Sequence, residues 1–223
     1  MNTTMIKKII WKELSLAAPL IVIFCVCCIV SIFISIAGGE TAFYVGSVLL
    51  ACTLIVSGVV AVFAMVAERK QQLFLSTLSL PIKYKDYVIA KLFSTLIFCS
   101  IPLLVGWLLS IFIIIATDAL PNGMFVIVTI FAMEMMASYC VLLALVLTKP
   151  TDIAMGFSIG AHNILFNFFI FAMVRSGVIR EIANSTAITW NSAAQTILLL
   201  EVIVAVAAIV VVFFAQSNKK DFV

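Results

Sequence analysis

Charge is what this chain has least of. Only 10% of its 223 residues are charged and 65% are hydrophobic, more apolar surface than a water-soluble domain of that length can hide. An ordinary soluble enzyme is excluded. One histidine in the whole chain, with no H-E-x-x-H, leaves a metal-hydrolase site short of ligands, so we expect no catalytic residue and no metal. A G-x-x-x-x-G-K-[ST] loop is also missing, and without it the chain cannot cradle nucleotide phosphates in the P-loop manner. The formal net charge of +3 is too small to suggest nucleic acid as a partner. The strict apolar-polar alternation of barrel strands is absent, so the apolar runs read as helices. All six cysteines lie inside those runs and imply packing, with no disulfide framework. Without internal repeats or low-complexity linkers, residues 1–223 read as a single membrane domain.

What is there is a series of apolar runs of about 20 residues, the length that spans a hydrocarbon layer of about 30 Å. We place them at 19–37, 42–67, 92–116, 122–147, 153–174 and 191–215. The expected fold is an all-α integral membrane protein with six transmembrane helices. The first run is read as a retained span, with no small-residue cleavage site marking it as a signal peptide. Assigned alternately, Lys7, Lys8, Lys12, Arg69, Lys70, Lys83, Lys85, Lys91, Lys149, Lys219 and Lys220 fall on one side and only Arg175 and Arg180 on the other. The richer side is expected to be cytoplasmic, and both termini with it.

Residues 1–14 place Met5, Ile6, Ile9, Ile10 and Leu14 on one helical face, with Thr4, Lys7, Lys8 and Lys12 opposite. That pattern predicts a helix lying flat in the interface, Trp11 at its boundary, ahead of a first span whose opening turn holds Pro19. On the other side the turns are short, except at 175–190, where a small amphipathic helix is expected.

Five of the thirteen Lys and Arg residues sit between 67 and 92. There Leu73, Phe74, Leu75, Leu78 and Leu80 stand among Gln71, Gln72, Ser76, Thr77 and Ser79 until Pro81 stops the pattern, which predicts an amphipathic helix over about 68–81. A second helix is expected from about Lys83 into the third span, with Lys91 at the water boundary. The Glu68-Arg69-Lys70 cluster, the leucine-rich stretch, Leu80-Pro81, Asp86 and Ala90-Lys91 together resemble the ABC-2 type permease family, the membrane subunits of ATP-driven exporters. Gln72 departs from a glycine common in that family. The resemblance implies that 68–81 is a cytoplasmic coupling helix and that Glu68, Arg69, Gln72, Ser76 and Ser79 contact an ABC ATPase subunit. It also implies a second permease copy or paralogue, and no cofactor in this chain, ATP and Mg being held by the ATPase. The expected location is a cell membrane, the bacterial plasma membrane.

Polar residues inside the runs need a reason, because charge in hydrocarbon is costly. Glu134, His162 and Glu201 each lie near mid-span and could meet. Gly156, Gly160, Asn163 and Asn167 share one helical face, and the family resemblance places that helix near the translocation path or the permease-permease interface. Thr53, Ser57, Ala61 and Ala64 form a similar small-residue face in the second run. The function expected is export of an amphipathic or hydrophobic cargo such as a peptide, drug or lipid-like molecule. The alternative is an ion- or proton-coupled carrier using Glu134, His162 and Glu201.

Overall fold

A computed structural model of the chain describes residues 3–37, 39–70, 84–116, 120–148, 160, 177, 181–182 and 185–217. Five long helices carry the architecture of that part: α1 (Thr3–Ala37), α2 (Gly39–Lys70), α3 (Tyr84–Ala116), α4 (Met124–Thr148) and α5 (Ser192–Ser217). All five are long and apolar enough to cross a membrane.

The six-span architecture expected from the sequence is therefore corrected to five membrane-length helices among the described residues. The expected span 153–174 lies outside those residues. The N-terminal stretch is a correction of another kind, since α1 runs unbroken from Thr3 through Pro19 to Ala37 and the interfacial helix expected over 1–14 is not a separate element. Pro19 removes the N–H that would reach the Ser15 carbonyl, and its ring crowds that same carbonyl. Ser15 is exposed, so that carbonyl can be solvated and the helix continues. The apolar face of the first turns is also used differently, because Ile6 and Ile9 are buried against Ala90, with Ile10 and Ile89 beside them. They pack on the early turns of α3, while Lys7, Lys8 and Lys12 stay exposed. The coupling helix expected over 68–81 is not a separate element where it can be followed, since α2 continues through Glu68, Arg69 and Lys70. The rest of it lies outside the described residues.

Contacts along the helices fix their directions. Gly46 of α2 meets Ser31 and Ser35 of α1, and near the other ends Ala61 packs in a cluster with Ala17 and Ile21, so α1 and α2 are antiparallel. Phe24 of α1 meets Phe98 of α3 edge-on, ring centroids 6.1 Å apart, and with the Ile6 and Ile9 contacts this makes α1 and α3 parallel. Trp107 and Ser100 of α3 reach Thr129 and Met136 of α4, an antiparallel pair. α4 and α5 are parallel: Val126 and Ile130 cluster with Ala194, and Leu142, Leu143 and Leu147 with Ala208 and Val212. The start of α1, the end of α2, the start of α3 and the ends of α4 and α5 consequently share one end of the bundle. It is the basic end.

At the opposite end, i→i+3 bonds from Met124, Phe125 and Val126 to Pro121, Asn122 and Gly123 wind the chain into α4. Gly123 N–H donates to the Ser185 carbonyl at 2.9 Å and Asn122 Nδ2 to the Thr186 carbonyl at 3.1 Å, while Ile182 is buried beneath them. Of the helix expected within 175–190, Glu181 and Ile182 are helical and most of the remainder to 184 is outside the described residues. Asn191 caps α5, its Oδ1 accepting from Ala194 N–H at 2.8 Å.

Much of the helical surface is apolar and outward. On α5 only one stripe is buried, through Ala194, Glu201, Ala208 and Val212, while Leu199, Leu200, Ile203, Val206, Val211 and Phe214 are exposed. A surface of that kind needs lipid rather than water around it.

Candidate functional site

Among the described residues, three polar constellations interrupt the apolar bundle. The first lies at the basic end, where α3 enters. Lys91 Nζ donates to Glu13 Oε2 of α1 at 2.6 Å, with the lysine side chain 5% exposed and the glutamate 27%. Lys91 is thus buried in protein rather than held at the water boundary, because the first turns of α1 cover it. The Ser94 and Thr95 hydroxyls donate to the Lys91 carbonyl at 3.1 and 2.9 Å. Asp86 and Tyr87, one turn earlier, are buried as well. Beside the ion pair lies a cavity of about 200 Å³ between α1, α2 and α3, walled by Ala17, Leu20, Ala61, Ala64 and Phe98. Its polar wall is the Glu13–Lys91 pair with Ser94 and Thr95.

The second joins α2 to α4. Tyr139 is buried, and its hydroxyl donates to the Leu54 carbonyl at 2.5 Å with Ser57 Oγ 3.3 Å away. Ser57 Oγ itself donates to the Leu54 carbonyl at 2.8 Å. The ring fits only because Gly58 lacks a side chain: a Cβ there would stand 2.5 Å from Tyr139 Cε1. The small-residue face noted on the second run is in use here, with Ser57 under Tyr139 and Ala61 in the cluster with Phe98.

The third lies near the middle of α4 and α5. Glu134 Oε1 accepts from Ser138 Oγ at 3.2 Å. Glu201 is 5% exposed, and neither of its carboxylate oxygens has a hydrogen-bond partner. The parallel register of α4 and α5 puts the two glutamates at the same level, near enough for their charges to act on one another.

Comparison with protein-family models, with curated proteins and with solved structures finds no match to this chain. Its character rests on its own helices. They are those of an all-α, multi-spanning membrane protein, an arrangement suited to transport in general.

Among the residues singled out from sequence, Glu68 and Arg69 lie in the last turn of α2 at the basic end. Gln72, Ser76 and Ser79 are outside the described residues, as are Gly156, His162, Asn163 and Asn167. Gly160 is helical and exposed, and a Cβ added there would meet open space. Glu134 and Glu201 fall at the same level of the parallel α4 and α5. The Glu13–Lys91 pair was not foreseen, although one signal was available: Glu13 is the sole acidic residue in the first 39. Among the described residues no three His, Cys, Asp or Glu side chains are grouped to hold a metal ion.

Proposed function

We propose that this chain is the permease subunit of an ATP-driven exporter of the ABC-2 type. It forms the translocation path for an amphipathic or hydrophobic cargo and performs no catalysis itself. ATP and Mg are handled by separate ABC ATPase subunits, which grip the connector between α2 and α3 through Glu68, Arg69, Gln72, Ser76 and Ser79. A second permease, a copy or a paralogue, completes the path. The basic end faces the cytoplasm of a bacterial cell, as the positive-inside tendency requires.

The observation that carries this reading is the footing of the connector. The connector joins the end of α2 at Lys70 to the start of α3 at Tyr84, and within about two turns of that start α3 is pinned to α1 by the buried Lys91 and its partner Glu13. A passive linker gains little from an ion pair whose desolvation is expensive. A segment that receives force needs such a footing, because a push on it then moves α1 and α3 as one body.

The test is ATP turnover by the permease reconstituted with its ATPase. Replacing Glu68 and Arg69 together with alanine lowers cargo-stimulated turnover and leaves membrane insertion intact. Turnover equal to wild type would remove the assigned contact.

A further inference from the structure

Glu201 stands in surroundings that suit a carboxylate badly. It lies on the one buried stripe of α5, between Ala194 and Ala208, each two turns away, and both of its oxygens lack a donor. Small residues at those positions let α4 and α5 approach closely. Opposite is Glu134, with one oxygen on Ser138. An unpaired carboxylate in hydrocarbon is costly, and a second beside it is worse. Positive charge has to come from somewhere.

Among the described residues, the helices packed here do not supply it. α4 and α5 contain no Lys, Arg or His. The charged residues of α3, Lys85, Asp86 and Lys91, all lie in its early turns at the basic end, and those of α2, Glu40, Glu68, Arg69 and Lys70, at its two extremes. Among the described residues Glu134 is therefore the one titratable group at the level of Glu201 that is set to act on it. A metal ion requires several converging ligands, and no group of three is present among the described residues. The ammonium of a cargo molecule cannot reach a side chain only 5% exposed. A proton needs no coordination shell and little space.

We propose that Glu134 and Glu201 form a proton-binding site at mid-height in the seam between α4 and α5. A proton delivered from water forms an O–H bond on one carboxylate oxygen, and the pair passes from two negative charges to one. Its loss restores two like charges on facing helices that small residues otherwise allow to close, so the packing of this seam is linked to proton occupancy. The site stands whether ATP or another source drives transport.

Infrared difference spectra of the full chain in lipid vesicles, taken over a pH series in H2O and D2O, test the proposal. The wild type shows a carboxylic-acid carbonyl band that moves in D2O and responds to pH. That band is lost in Glu201→Gln, changes its pH response in Glu134→Gln, and is displaced but retained in Glu201→Asp, which keeps an acid on a shorter stem. Wild-type and Glu201→Gln spectra that superimpose at every pH overturn the site. A band lost in Glu134→Gln but unchanged in both Glu201 variants overturns it as well. The amide bands of the same samples report whether each variant keeps its helices.

Discussion

Glu13 and Lys91 show how one pair of side chains can join two helices. Removing one member of a fully buried ion pair costs about 3–5 kcal/mol, since the other is left in a medium that solvates it poorly. Glu13 retains 27% exposure, so water screens part of that loss and about 1–3 kcal/mol is the expected cost of Glu13→Ala. The double variant Glu13→Ala with Lys91→Met, whose unbranched apolar side chain fills the same space, is expected to recover part of the loss. Denaturation in detergent micelles measures both. Single and double variants of equal stability would show that the two residues are not coupled. Lys91 also shows where residue-level reading stops: a lysine at the start of an apolar run is ordinarily placed in the headgroup layer, and only the packing of Ile6 and Ile9 on Ala90 brings Glu13 within reach of it.

Glycines decide how closely the helices approach. At Gly46 an added Cβ would stand 2.5 Å from the backbone nitrogen of Ser35 and run into the Ser31 carbonyl, and backbone in the middle of a helix cannot step aside. At Gly106 the nearest atom is the flexible end of Leu50, 3.3 Å away. Gly46→Ala is therefore expected to cost about 1–3 kcal/mol by forcing α1 and α2 apart, and Gly106→Ala less than about 1 kcal/mol. Thermal unfolding of the two variants in the same detergent checks the order, and equal losses would contradict the close α1–α2 contact. The apolar runs behind α2, α3, α4 and α5 were legible from length and composition alone, as was the small face carrying Ser57 and Ala61. Gly46 and Gly58 were not, because a glycine in an apolar run carries no sign of its neighbour. The continuity of α1 was hidden for a related reason: Pro19 reads as a helix start, and its tolerance inside a helix depends on solvent reaching the Ser15 carbonyl.

For the whole molecule, sequence supplied the solvent and the polarity of the chain, and packing supplied the neighbours. Alternating the basic residues between two sides anticipated an end rich in lysine and arginine, and the helix directions gather Lys7, Lys8, Lys12, Arg69, Lys70 and Lys91 at one end of the bundle. The parallel register of α4 and α5, on which the Glu134–Glu201 pair depends, was not legible, because periodicity says which face of a helix is buried but not against which partner. The mid-span position of both glutamates was. Gathered charge, the footing of α3 and the exposed apolar surface are the support for the proposed function, in which a motor outside the membrane drives the basic end. The most direct measurement of that claim is purification of the tagged chain from its native membrane in mild detergent, followed by an ATP-turnover assay. The account predicts stoichiometric co-purification of a P-loop ATPase whose turnover rises with cargo. A chain that purifies alone and, reconstituted alone, moves cargo without nucleotide would contradict it.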